Sequence, residues 1–275
     1  MPLYDQHVHS RHSFDSGTEP AANVEQANAL GLAGLTFTEH FDAHPDDWET
    51  CTYDYGACSA SIESLRDRFG QTVFVGQGIE ICYQPDRMDF ILDFLESCEF
   101  DLVILSAHYF GAEAVHRRTN WAGIDAVEGT RRYLETVLDA VRFCERLHND
   151  RGRVFDVLGH LDVVKRYTQR FLGVSVVARF GDLLDEILAT CLRADVIPEV
   201  NTSTLRQDLD EPMPGPDTIE RYIRLGGSAV SLGSDAHLPA SVGADFDRAV
   251  ATLRSTGINQ AAVFKKRKRL IIPFD

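Results

Sequence analysis

The chain has 275 residues, with 42 acidic side chains against 27 basic ones, a formal charge of −15, 44% hydrophobic and 25% charged residues. Such a composition excludes disordered and collagenous chains, and no run approaches the ~18 consecutive apolar residues of a membrane helix. The amino terminus, MPLYDQHVHS, lacks the basic and apolar regions of a secretory signal, and the six cysteines form no CxxC pair. The expectation is one soluble, cytoplasmic domain over residues 1–275, with reduced thiols and no thiolate metal site. An acidic surface repels a phosphate backbone, which argues against a nucleic-acid partner. The basic run Lys265-Lys266-Arg267-Lys268-Arg269 reads as a solvated face ahead of a strand-like Leu270-Ile271-Ile272, in preference to a polyanion patch.

Short apolar runs alternate with amphipathic stretches along the chain. The strand candidates are Leu3 to Val8, Gly34 to Thr38, Val73 to Ile79, Leu102 to Ser106, Val154 to Leu158, Val196 to Val200 and Ala229 to Leu232. The first helix starts at Pro20, a favoured first-turn residue, and stops at Gly31. The clearest later helix carries Leu134, Val137, Leu138, Val141 and Cys144 at spacings of three and four, which predicts one face on the sheet. Connections entering the strands are short, whereas those leaving the second, fourth and sixth (Asp42 to Ser59, Tyr109 to Val127, Asn201 to Asp217) are long. Elaborated loops gathered at the carboxyl ends of parallel strands are the mark of a barrel enzyme. The predicted fold is a distorted (β/α)7 TIM-like barrel with its site at that end.

A metal-ligand residue type stands at or just past the end of each proposed strand: Asp5-Gln6-His7-Val8-His9, Thr38-Glu39-His40, Gly78-Ile79-Glu80, Ser106-Ala107-His108, Gly159-His160, Glu199-Val200-Asn201 and Ser234-Asp235-Ala236-His237. Residues two apart on a strand share a face, so His7 and His9 can hold one ion between them, as can Asp235 and His237. Six of the ten histidines fall at these positions; His12, His44, His116 and His148 read as structural. Imidazoles mixed with carboxylates suit zinc, iron or manganese, and this number of donors exceeds the needs of one ion. A cluster of two or three divalent ions is expected, with Glu80 bridging two of them. Paired ions that acidify water and clamp a transferring group are the usual apparatus for phosphate-ester hydrolysis. Asp5 reads as an orienting partner, and Glu199 and Asn201 as supports for the cluster or ties for their loop.

These motifs resemble the polymerase and histidinol phosphatase (PHP) superfamily, specifically its PHP-type histidinol-phosphate phosphatases, over nearly the whole chain. The resemblance rests on DQHVHS, FTEH at 37–40, the Gly-x-Glu at Glu80, the Ser-x-His at His108, GHLDVVKRY at 159–167, EVNTSTLR at 199–206 and LGSDAH at 232–237. It implies one metal site from His7, His9, Glu80 and Asp235, a second from Glu80, His108 and His160, and a third from Asp15, His40 and His237. Asp15 stands where many relatives carry histidine. It further implies catalytic roles for Glu80, Asp235 and His237, and phosphate-holding roles for Arg166 and Arg206, with Lys165 as the alternative to Arg166. The implied substrate is L-histidinol phosphate, hydrolysed to L-histidinol and phosphate in histidine biosynthesis by attack of water without a covalent intermediate. Asp42, Asp46, Asp47, Phe41, Tyr83, Tyr109 and Phe110 are available for the substrate's amine and imidazole. A PHP phosphoesterase for another small phosphate, an amidohydrolase and a non-catalytic metal-binding module remain as alternatives.

Overall fold

The computed structural model describes residues 2–207 and 209–274. In chain order the elements are β1 (Tyr4–Val8), α1 (Pro20–Ala29), β2 (Gly34–Phe41), α2 (Tyr55–Phe69), β3 (Phe74–Cys82), α3 (Met88–Glu96), β4 (Leu102–Ser106), β5 (Tyr109–Phe110), β6 (Glu113–Ala114) and α4 (Ala126–Arg151). There follow β7 (Val157–Leu158), α5 (Val164–Leu172), α6 (Gly181–Arg193), β8 (Ile197–Asn201), α7 (Pro216–Arg224), β9 (Ser231–Gly233), α8 (Phe246–Thr256), β10 (Gln260–Lys265) and β11 (Lys268–Pro273). Seven parallel strands pair in the order β1-β2-β3-β4-β7-β8-β9. The ring closes at its carboxyl end, where Asp235 N donates to the His7 carbonyl at 2.8 Å and His9 N to the Ala236 carbonyl at 2.8 Å. All seven predicted strands are present, and the expected barrel is the fold.

Side-chain alternation divides the barrel interior into two layers. Along β4, Leu102 and Ile104 enter an apolar cluster while Ser106, two residues on, bonds Glu80. Along β8, Ile197 joins the same cluster while Glu199 and Asn201 turn to the polar end. The lower layer is therefore a dry plug and the upper layer carries chemistry, as the pleat period of two requires. Helix α4 is capped at its start by Asp125, whose carboxylate accepts from Glu128 N, and at its end by Gly152, where φ is 88°. Its apolar face, including Leu134, Val137 and Val141, is buried in the main core.

The basic run differs from its reading as a solvated face. It forms the end and turn of an antiparallel hairpin, β10–β11, that seals the bottom of the barrel: Ala262 and Phe264 complete the apolar plug, and Gln6 bonds the backbone of both. Lys266 and Arg267 make the two-residue turn, both with positive φ (48° and 62°). Asp101 holds that turn by accepting from Lys266 N at 2.8 Å, and Arg267 Nε reaches the fully buried Asp156 at 2.5 Å. Three of the five basic residues are half-buried, and only Lys266 and Lys268 are exposed. Arg267→Ala should lower stability by about 1–3 kcal/mol, since it strips a partner from a buried carboxylate, and leave kcat/KM unchanged. Denaturant midpoints measured beside steady-state rates check both halves of that expectation.

Candidate active site

The polar layer opens into a cavity of about 400 Å³ whose lining includes Asp15, His40, Asp42, Asp47, His108, His116, His160, Arg166, Asp235 and His237. Beneath it lie His7, His9 and Glu80, all at 0% exposure. Glu80 is the hub. Its Oε1 lies 2.9 Å from His160 Nε2 and 3.3 Å from His108 Nε2, while Oε2 lies 3.0 Å from His40 Nδ1, 3.3 Å from His7 Nε2 and 3.6 Å from His9 Nε2. Asp235 Oδ1 is 3.5 Å from His9 Nε2, 3.7 Å from His237 Nδ1 and 3.9 Å from His7 Nε2. Asp15 Oδ2 approaches His237 Nε2 at 2.9 Å and His40 Nε2 at 3.4 Å. The nine side chains expected as metal ligands thus converge from strand ends and loops spread between residues 7 and 237.

Several local devices hold them there. His7 Nδ1 meets Glu199 at 2.7 Å, and His108 Nδ1 meets Asp42 at 2.9 Å, so each imidazole is oriented by a carboxylate and turns Nε2 toward Glu80. His9 Nδ1 contacts the Ser13 hydroxyl, which donates to Glu39; Glu39 also accepts from Ser10 N and Oγ, and so folds the loop that carries Asp15. Asp5 accepts from Ser234 N and Oγ and from Gly243 N, which anchors the segment leading to Asp235. Asp235 itself has φ of 54°, a left-handed conformation uncommon for a non-glycine residue. Gly233 is required just before it, because a Cβ there would lie 2.0 Å from Glu199 Oε1 and 2.5 Å from His7 Cβ. Ser13, Glu39 and Asp42 are not recognisable as supports from the sequence because only the folded loops bring them to their histidines; the one hint is their closeness in sequence to ligand motifs.

Carboxylates and imidazoles perturb one another strongly here. Burial would raise the Glu80 pKa, yet the imidazoles of His7, His40 and His108 hold it well below the carboxylate range. Asp235 is likewise buried and held well below that range by His9, His7 and His237. In return, burial opposes charge on His7, His40 and His108, but Glu199 and Glu80, Glu80 and Asp15, and Asp42 respectively outweigh it and raise all three. His9, buried and facing His40 and His237, is pushed down to about 3. Meanwhile His7 Nε2, His9 Nε2, His40 Nδ1 and Glu80 Oε2 are buried without a hydrogen bond although they face one another. Clustered lone pairs that make no hydrogen bonds, in a nitrogen and oxygen donor set, fit divalent transition metals. Four groups drawn from His7, His9, His40, Glu80, His108, His160, Asp235 and His237 are compact enough to hold an ion.

Other expected residues fall differently. Arg166 lines the cavity, donates to Ser203 Oγ and approaches Asp235 Oδ2 at 3.8 Å, and its buried Nε has no partner. Arg206 is turned toward the Ser234 carbonyl, at 2.6 Å, and Thr202 Oγ1, at 3.3 Å, and is not among the lining residues. Lys165 is buried among acceptors away from the cavity. Of the seven residues available for the substrate's amine and imidazole, Asp42 and Asp47 line the cavity. Tyr83 instead bonds Asp139, Tyr109 stacks on His44, Phe110 packs on Trp121, Phe41 packs on Phe94, and Asp46 faces Arg117. The aromatic rings among the lining residues belong to Phe14, 55% exposed, and Tyr167, and His116 also lines the cavity although its sequence context suggested a structural role.

A parallel barrel with this donor set at its strand ends is the architecture of a metal-dependent phosphoesterase. The PHP domain model matches residues 5–203, and the chain belongs to that family. The histidinol-phosphatase of Lactococcus lactis subsp. lactis is 28% identical over 272 residues, 98% of this chain and 96% of that protein. A protein curated as "Probable histidinol-phosphatase" from Deinococcus radiodurans is 28% identical over 285 residues, 97% of this chain and 98% of its own length. Among solved structures, the Lactococcus lactis histidinol phosphate phosphatase complexed with zinc, L-histidinol and phosphate matches with a TM-score of 0.85 and 27% identity, over 98% of each chain. A Listeria monocytogenes structure, 17% identical with a TM-score of 0.75 over 89% of this chain and 99% of that one, repeats the fold.

Proposed function

We propose that residues 1–275 act as one metal-dependent phosphomonoesterase that hydrolyses L-histidinol phosphate to L-histidinol and phosphate in histidine biosynthesis. The observation that carries the reading is Glu80 at the base of the cavity, ringed by five imidazoles, with the guanidinium of Arg166 on the wall above. His7, His9, Asp15, His40, Glu80, His108, His160, Asp235 and His237 would hold two or three ions of zinc, iron or manganese. When bound, these ions acidify water and neutralise charge on the phosphoryl oxygens. Arg166 takes a non-bridging phosphate oxygen with its planar fork, and Arg206 adds its charge while holding the peptide before Asp235. Asp42 and Asp47 favour a cationic amine in the leaving group, and the rings of Phe14 and Tyr167 favour its imidazole. The full-length likeness to histidinol-phosphatases and the zinc, histidinol and phosphate of the Lactococcus lactis structure support the substrate and metal. Six free cysteines support a reducing, cytoplasmic setting. Among the described residues no helix is long and apolar enough to cross a membrane.

Phosphate release from a panel of histidinol phosphate, sugar phosphates, other amino-alcohol phosphates and a dinucleotide tests the reading. Histidinol phosphate should show the highest kcat/KM; a higher value for another ester would replace the substrate, and no release from any would overturn the activity. Elemental analysis should find two or three transition-metal ions per chain. Dialysis against a chelator should abolish turnover, and zinc or manganese should restore it. One ion or fewer after reconstitution would overturn the cluster.

A further inference from the structure

We infer that Lys165 is a positioning residue, which fixes the phosphate-facing Arg166 against the loop that follows β8. The inference rests on the phosphatase reading above. Lys165 lies in α5 with its side chain 1% exposed. All three N–H groups of its ammonium are used: Asp162 Oδ2 accepts at 3.0 Å, Glu211 Oε1 at 2.9 Å and the Pro212 carbonyl at 2.7 Å. No N–H is left for a substrate, and the side chain does not line the cavity.

Two of the three partners of Lys165, Glu211 and Pro212, sit on the returning half of a loop whose outgoing half carries Ser203 and Arg206. Asn201 and Met213 pair through backbone bonds of 2.7 and 2.9 Å, and Thr204 Oγ1 donates to the Glu211 carbonyl at 2.7 Å, so the two halves move together. Arg166, next to Lys165 in sequence, donates to Ser203 Oγ on the outgoing half. That hydroxyl also bonds Asn201 Oδ1 at 2.6 Å and Asp235 Oδ2 at 3.3 Å. Helix α5 and the loop are thereby tied at two points, with the guanidinium between the tie and the cavity. Burying an ammonium costs free energy that an apolar side chain of similar volume would not, so stability alone does not call for lysine here. Geometry does: a phosphate held between Arg166 and the ions of the ligand cluster, to which Asp235 belongs, needs α5 and the loop in one register, and a shift of about 1 Å costs up to about a hundredfold.

The test is steady-state hydrolysis of histidinol phosphate by Lys165→Met and Glu211→Gln, with inorganic phosphate as inhibitor and with metal content and Tm measured on the same preparations. Lys165→Met should raise KM and the Ki of phosphate together by about tenfold or more, while each chain keeps its metal. A merely structural role would lower kcat in proportion to the depletion of metal-loaded protein and leave KM and Ki at wild-type values, and that result overturns the inference. If Lys165→Met does not fold, Glu211→Gln decides: Glu211 is 45% exposed, and removing its charge should raise KM and Ki about two- to fivefold. Unchanged constants in that variant overturn the inference as well. A wild-type enzyme that releases no phosphate from any ester overturns the phosphatase reading; one that does, beside variants with unchanged KM and Ki, overturns only the role of Lys165.

Discussion

Glu80→Gln should reduce kcat/KM by about a thousandfold or more, equivalent to roughly 4 kcal/mol, and lower the metal content of the purified protein. Asp15→Asn should cost about tenfold to a hundredfold, the range of a change that loosens one ligand, with most of the metal retained. The difference follows from position. Glu80 faces imidazoles from three other strand ends, those of β1, β2 and β4, and from the loop that follows β7, and both its oxygens are engaged, so the amide removes the charge at the centre of the whole cluster. Asp15 faces only His237 and His40, at the rim, with its side chain 33% exposed. Elemental analysis and phosphate-release kinetics on matched preparations check the ordering. Equal reductions in the two variants with unchanged metal content would contradict it.

The strands are legible in the sequence because parallel barrel strands are buried on both faces and read as continuous apolar runs; β2 is buried at every residue. The two-residue strands β5 and β6 are too short to carry a period, and β10 is hidden by the charged run that ends it. Its half-buried charges make sense through Asp156 for Arg267, Asp195 for Arg269 and the rings of Tyr4 and Phe74 for Lys265, partners remote in sequence that no local pattern links to the run. In the site, the histidines proposed as ligands are legible because strand ends meet at one place in a barrel, whatever their separation along the chain. The mouth is not, because loops set it. Phe14 and Tyr167 reach the cavity, whereas Tyr83 and Tyr109, equally aromatic and also near expected ligands in sequence, are spent on Asp139 and His44.

The two arginines past the ligand motifs are alike in sequence but not in place, and their variants should separate accordingly. Arg166→Ala should lower kcat/KM by about thirtyfold to a thousandfold, or roughly 2 to 4 kcal/mol, the scale of removing one charge-assisted hydrogen bond from a water-poor site. Arg166→Lys should recover part of that activity, since an ammonium restores the charge but not the two-pronged fork. Arg206→Ala should cost less, about tenfold, because its guanidinium is committed to the Ser234 carbonyl and Thr202 and acts on phosphate through its charge and the peptide it steadies. Neither arginine touches a proposed ligand atom more closely than the 3.8 Å between Arg166 and Asp235, so metal content should stay near wild type in all three variants. Steady-state kinetics beside elemental analysis decide the matter. A larger drop in Arg206→Ala than in Arg166→Ala would move the direct phosphate contact to Arg206, whose side chain would then have to leave the Ser234 carbonyl when substrate binds.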